Sequence, residues 1–165
     1  MKDFRPSYAG RILTREAFME PFLAIFHYLM IFATLALLLG EFLLLRLEAT
    51  GPGLKLLGRV DLAYGVFALL VVTSGLLRVF LGDVAPATWG SNHAFWTKMG
   101  LFLVVGFLSI LPSLRFLSWK KAFAANGALP DATARKKTAM LVHLQLGLFL
   151  LIPVFAVLMV EAAEG

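Results

Sequence analysis

Four apolar runs, near residues 21–45, 60–81, 94–117 and 139–160, limit what this chain can fold into more than anything else in it. Each is long enough to cross the roughly 30 Å hydrocarbon layer of a bilayer, which takes about 20 residues at 1.5 Å per residue in a helix. Lipid offers no water to the backbone, so a segment that crosses it satisfies its own N–H and C=O groups by being helical. Composition agrees: 60% of the 165 residues are hydrophobic and 15% are charged, against about a quarter charged in soluble domains. The expected fold is all-α, one transmembrane domain over residues 1–165 built as an integral membrane four-helix bundle, with the lipid bilayer as its first partner.

A short segment, Met1 to Glu20, precedes the first run. It mixes Lys2, Arg5, Arg11 and Arg15 with Asp3, Glu16 and Glu20, and is expected to lie along the membrane surface. A signal peptide is the rival reading, but the run that follows is too long and no small-residue cleavage site comes after it. Turn residues separate the helices: Gly51, Pro52 and Gly53, then Gly82, Asp83 and Pro86, then Asn126, Gly127 and Pro130. Short connections imply helices that run up and down in turn.

The formal charge of +5 does not point to nucleic acid, because the basic residues sit between apolar runs and form no patch interleaved with aromatic residues. They set orientation instead, since short basic loops stay cytoplasmic. Arg46, Lys55 and Arg59 flank the first loop, and Arg115, Lys120, Lys121, Arg135, Lys136 and Lys137 flank the third; the second loop, Gly82 to Asn92, has none. The expectation is a multi-pass protein of the bacterial inner membrane with both termini outside. The absence of cysteine excludes disulfides, thiolate zinc sites, iron–sulfur clusters and covalent c-type haem. Three histidines remain as soft ligands.

A charge at the membrane centre costs about 2.5–3.5 kcal/mol on insertion scales, so polar residues there face the bundle interior and mark function. Helix one carries Glu20, His27, Thr34 and Glu41 at intervals of seven, almost two turns, which makes them one stripe. Hydrogen bonding between helices would account for Thr34 alone; the His and the Glu favour a functional face. On helix two, Asp61, Tyr64, Gly75 and Arg78 share a broad face, with two alternatives open: Asp61 as an interfacial cap and Arg78 as a side chain snorkelling to the boundary. Helix three opens with Asn92, His93, Phe95, Trp96 and Lys98, and Lys98 shares a face with Val105, Ser109 and Pro112. Trp89 and Trp96 read first as an interfacial aromatic belt, and His93 as a residue of the water boundary. Lys98 lies deeper and needs a partner. Helix four offers His143 in line with Gly147, Leu150, Val154 and Glu161, with a satisfied histidine at the cytoplasmic boundary as the equal alternative, while Gln145 points elsewhere.

Depth sorts these residues into two layers. Counted from the outer boundary, His27 lies at about 9 Å, Lys98 at about 6 Å and Arg78 at about 5 Å. Glu41, Asp61, Tyr64 and His143 gather near the other boundary, on the order of 15 Å away in depth, too far for His27 and His143 to ligate one iron. Two axial histidines of one chain would have to be His27 and His93.

A first-helix His with Phe-Trp-x-Lys opening the third helix resembles the HemJ-type protoporphyrinogen IX oxidases, a grouping that extends to CopD-like copper-resistance proteins. More closely, Gly-Leu-Leu-Arg at 75–78, Asn92 with Phe-Trp-Thr-Lys at 95–98, and Ser-Ile-Leu-Pro at 109–112 resemble a bacterial family of four-helix membrane proteins of unassigned function, over about residues 20 to 160. The oxidase resemblance implies an oxidoreductase holding b-type haem near His27, Lys98, Arg78 and His93, with His27 as metal ligand and Lys98 as second ligand or propionate partner, and passing electrons from a tetrapyrrole to a quinone or respiratory partner. Arg78, Glu41 and the N-terminal segment depart from the oxidase pattern. Two other functions stand beside it: an ion- or proton-coupled carrier of small solutes using Glu41, Asp61 and His143 with His27, which with four helices would need a homo-oligomer, and copper handling through His27, His93 and Met30 or Met99. The bland alternative is that the buried charges only fix helix register, as Glu41 with Arg59 or Arg46 would.

Overall fold

A computed structural model describes residues 15–81 and 89–164, with side chains described from 21 to 81 and from 89 to 158. Four helices account for nearly all of them: α1 (Arg15–Arg46), α2 (Gly51–Leu81), α3 (His93–Asn126) and α4 (Ala132–Glu164). Each packs against its neighbour in sequence, and α1 packs against α4, so the four close into a ring; the α2–α3 seam is its loosest side. All four are long and apolar enough to cross a membrane. This is the expected all-α four-helix bundle.

The helices are longer than the apolar runs. α1 starts at Arg15 and carries Pro21 inside it rather than at its head, so Arg15–Glu20 continues the helix; the rest of the expected surface segment, residues 1–14, lies outside the described residues. α2 begins at Gly51, nine residues before its apolar run, and α3 runs nine past its own, to Asn126. Those extensions are rich in charged and small residues, which hydropathy reads as loop although caps hold them in helix. Thr50 Oγ1 accepts the N–H of Gly53 at 3.1 Å, and Asp131 Oδ1 accepts that of Ala134 at 2.7 Å. Asn92 Oδ1 caps α3 by accepting from Ala94 (3.0 Å) and Phe95 (3.2 Å), and Gly127, at φ 72°, closes its other end with its N–H on the Phe123 carbonyl. The turn joining α1 to α2 is held from across the bundle: an Arg135 guanidinium N–H donates to the Leu47 carbonyl, and the Phe123 ring lies directly on Gly51. That end, the basic end of the bundle, also carries most of the basic residues.

The surface is inside-out by the standards of a protein in water. Leu62, Phe107 and Met140 are 70%, 70% and 74% exposed, on three different helices, while the residues sealed inside include Thr34, Glu41, Ser74, Thr138 and Gln145. An apolar exterior on every side suits lipid, which gains nothing by burying it. The bundle is therefore held by close packing and by the polar contacts within it. The buried positions recur at alternating steps of four and three: 34, 38, 41 and 45 on α1, and 138, 142, 145, 149 and 152 on α4. Such spacing is that of left-handed bundles with shallow crossing angles.

Candidate functional site

Contacts across the helices fix their relative register. His27 on α1 stands against Gly75 on α2, and Gly40 against Val60. Asp61 on α2 stands against Ser113 on α3, and Phe42 on α1 against His143 on α4. In antiparallel neighbours every step along one helix is matched by a step back along the other. Glu41, Asp61, Ser113 and Gln145 therefore lie at one level, one from each helix.

This layer is the most chemically loaded part of the interior. Glu41 is 2% exposed and its Oε1 has no hydrogen-bond partner among the described residues. Asp61 lies within electrostatic reach of it and accepts the Ser113 hydroxyl proton at 2.5 Å. Gln145 is 1% exposed, and its Nε2 is likewise without a partner among the described residues. Tyr64, one turn from Asp61, lies within electrostatic reach of both carboxyls and close to Ser109. Pro112 beside Ser113 has no N–H to give, so the Leu108 carbonyl loses that helical bond. Two carboxyls, a hydroxyl and an amide share this level, hard donors of the kind that hold protons and hard cations.

Of the expected residues, Glu41, Asp61 and Tyr64 do share a layer. His143 stands at their level, opposite Phe42, but faces outward. It is exposed, its ring 5.4 Å from Phe42, and Gly147, Leu150 and Val154 on its line also face outward; Glu161 lies outside the described side chains. Gln145, set aside at the sequence level, takes the inward position. The cause is the phase of α4: the 138, 142, 145, 149, 152 series faces in, and His143 falls between its members. That spacing is visible in the sequence and was the available signal for Gln145.

Towards the opposite end a second group forms around His27. Its Nδ1 lies 2.8 Å from Ser74 Oγ, and Ser74 Oγ lies 2.7 Å from the Leu70 carbonyl and 3.1 Å from that of Val71. The Ser74 proton is committed to backbone, so Ser74 accepts from His27 and the imidazole carries its hydrogen on Nδ1. Nε2 keeps its lone pair. The ring edge rests against α2 where Gly75 has no side chain: a Cβ there would sit 3.1 Å from Cε1. Arg78 and Lys98 lie within electrostatic reach of His27, as expected, with the Arg78 guanidinium 5.7 Å from the Tyr28 ring centre and Lys98 Nζ 5.4 Å from that of Phe95. Ser74, which sequence reasoning passed over, is what orients the histidine.

His93, the first residue of α3, is exposed, and its carbonyl accepts the Thr97 hydroxyl. Trp96 is 60% exposed with its indole N–H on the Gly90 carbonyl at 2.9 Å, and Phe95 packs edge-on against it. This is the geometry of an interfacial aromatic anchor. Among the described residues no cluster of three or more His, Asp or Glu side chains is arranged to hold a metal ion.

Compared with known proteins, the chain matches one family pattern, described as predicted membrane protein (DUF2214), over residues 19–163. No curated protein and no solved structure matches it.

Proposed function

The chain belongs to the DUF2214 family of predicted membrane proteins, and we propose that its work in the membrane is cation-coupled transport, with the Glu41 layer holding the coupling proton or monovalent cation. One observation carries this: Glu41 is sealed within a membrane-spanning bundle with a carboxylate oxygen that nothing among the described residues satisfies. An intramembrane carboxyl is costly, and residues that bear such a cost mark ion and proton pathways. Asp61 beside it adds like charge, and two anions at that depth repel strongly. A proton or cation between them removes the repulsion and satisfies the open oxygen together. Gln145, an amide with an uncommitted end, can turn its oxygen towards a cation or its NH2 towards a carboxylate, which suits a site that alternates between loaded and empty. The basic end, by the rule for short loops, faces the cytoplasm.

Proteoliposomes with a trapped pH dye test this under imposed Na⁺ or K⁺ gradients and membrane potential. The wild type is expected to carry a proton or cation flux above that of empty vesicles. Glu41→Gln abolishes it, and Glu41→Asp keeps a fraction, while both retain wild-type helicity. Wild-type flux no greater than the vesicle leak, or full flux in Glu41→Gln, overturns the proposal.

A second reading, b-type haem held through His27 with Lys98 nearby, is favoured by the Nε2 lone pair, the form of imidazole that metals bind. Its measurement is direct. Protein purified from cells supplied with haem precursor would show a Soret band that His27→Ala loses, and an absent band removes this reading without touching the first.

A further inference from the structure

Between α2 and α3, at the loosest seam of the ring, lies a void of about 300 Å³ lined by Tyr64, Gly65, Ala68, Leu69 and Val72 of α2, Phe102, Val105, Gly106 and Ser109 of α3, with Thr34 and Phe149 closing the back. We propose that it is a binding site for a small neutral hydrogen-bond donor, an alcohol or phenol, entering sideways from the bilayer. This does not depend on the transport reading.

Four observations define the ligand. Its size follows from the volume: at about 30 Å³ for a water-sized group, the void holds roughly ten non-hydrogen atoms, at the small end of ligand pockets. Its charge follows from the walls, none of which carries an ionisable group except Tyr64. Its route follows from the mouth, where Gly65, Leu69 and Gly106 are exposed at mid-bundle, a level that lipid surrounds rather than water.

Its hydrogen-bonding sense follows from the three hydroxyls. Thr34 Oγ1 already donates to the Met30 carbonyl at 2.7 Å, and Ser109 Oγ donates to that of Gly106 at 2.6 Å. The Tyr64 hydroxyl can both donate and accept. Two of the three protons are in use, so Thr34 and Ser109 offer a newcomer lone pairs. An alcohol or phenol, which donates and accepts, complements that wall, whereas an ether or ketone, which only accepts, leaves the Thr34 and Ser109 lone pairs unused. The glycines at the mouth agree with an open site, since a Cβ built on Gly65 or Gly106 meets nothing within 4 Å.

The probe is a diazirine-bearing benzyl alcohol applied to the full chain in phosphatidylcholine vesicles, with labelled positions read by mass spectrometry and phenol or anisole as competitor at matched membrane concentration. The expected result is saturable labelling at Tyr64, Phe102 or Phe149. Phenol displaces it about fivefold better than anisole, the ratio one neutral hydrogen bond supplies. Thr34→Val, which keeps the shape and removes an acceptor, reduces that ratio towards one while leaving the helices intact. Gly65→Leu and Gly106→Leu, which add bulk at the mouth from Cβ positions clear of other atoms, each remove the saturable labelling. Labelling that never saturates, equal displacement by phenol and anisole in the wild type, or saturable labelling that survives both leucine variants overturns the proposal.

Discussion

At the scale of single residues, the interior is organised by which hydrogen-bonding protons are already spent. Ser74 sends its proton to the Leu70 carbonyl and thereby sets the tautomer of His27 on the next helix. Gly75 completes the arrangement by leaving room for the ring. Gly75→Ala brings a methyl to 3.1 Å from Cε1, so the ring must give by a few tenths of an ångström, which disturbs its hydrogen bond to Ser74. The expected net cost is up to about 2 kcal/mol, the roughly 1–3 kcal/mol of overpacking less the roughly 1 kcal/mol that alanine gains over glycine within a helix, read as a lowered midpoint of thermal unfolding in detergent. The imidazole ¹⁵N signals would move with it, since the hydrogen bond from Nδ1 is disturbed. Ser74→Ala is expected to shift the same signals without crowding the ring, so agreement between the two variants identifies the hydrogen bond rather than the packing as what holds His27. His27, Glu41 and Thr34 were legible in the sequence because they repeat at seven-residue intervals. Ser74 was not, because a lone serine in an apolar run has no pattern, and only the helix opposite gives it a role.

At the scale of elements, the ends of the helices hold the bundle where lipid no longer does. Gly51 opens α2 in contact with the Phe123 ring of α3; a Cβ on Gly51 would lie 2.3 Å from the ring's Cζ. Gly51→Ala is thus expected to destabilise by about 1–3 kcal/mol through overpacking. Phe123→Leu removes the clashing edge, so the double variant should recover part of that loss, a coupling readable in a double-mutant cycle of unfolding midpoints. Gly127 acts differently. Its φ of 72° is a backbone demand, with no neighbour in the way of a side chain, so Gly127→Ala costs about 1 kcal/mol and no second substitution in a neighbour relieves it. The same ends explain where hydropathy misplaced the helix boundaries. The polar starts of α2 and α4 are helical because Thr50 and Asp131 cap them, which an apolar count does not register. Turn residues at 51–53 and 126–130 marked the right places, but Gly51, Pro52 and Gly53 lie inside α2 rather than before it.

At the scale of the whole molecule, four helices in register bring Glu41, Asp61, Ser113 and Gln145 to one level, and that layer sets stability against function. The existence of the bundle and the inward face of α1 follow from the sequence alone. His143 reaches this level but faces outward, because the series Thr138, Val142, Gln145, Phe149 and Ile152 carries the packing of α4. Gln145 therefore decides between a layer that only holds helices together and one that holds an ion. Its Nε2 is buried without a partner among the described residues, and such a group costs about 1–3 kcal/mol against an apolar side chain of similar size. Gln145→Leu should raise the unfolding midpoint in detergent. If the layer were only a fastening, the variant would be better in every respect. If it holds the coupling cation, the same variant loses flux in proteoliposomes, since a ligand has gone from beside Glu41. Gln145→Glu separates the two further: a third carboxyl in the layer adds repulsion that lowers the midpoint in cation-free buffer, and added Na⁺ or a lower pH restores it only where a cation or proton can enter.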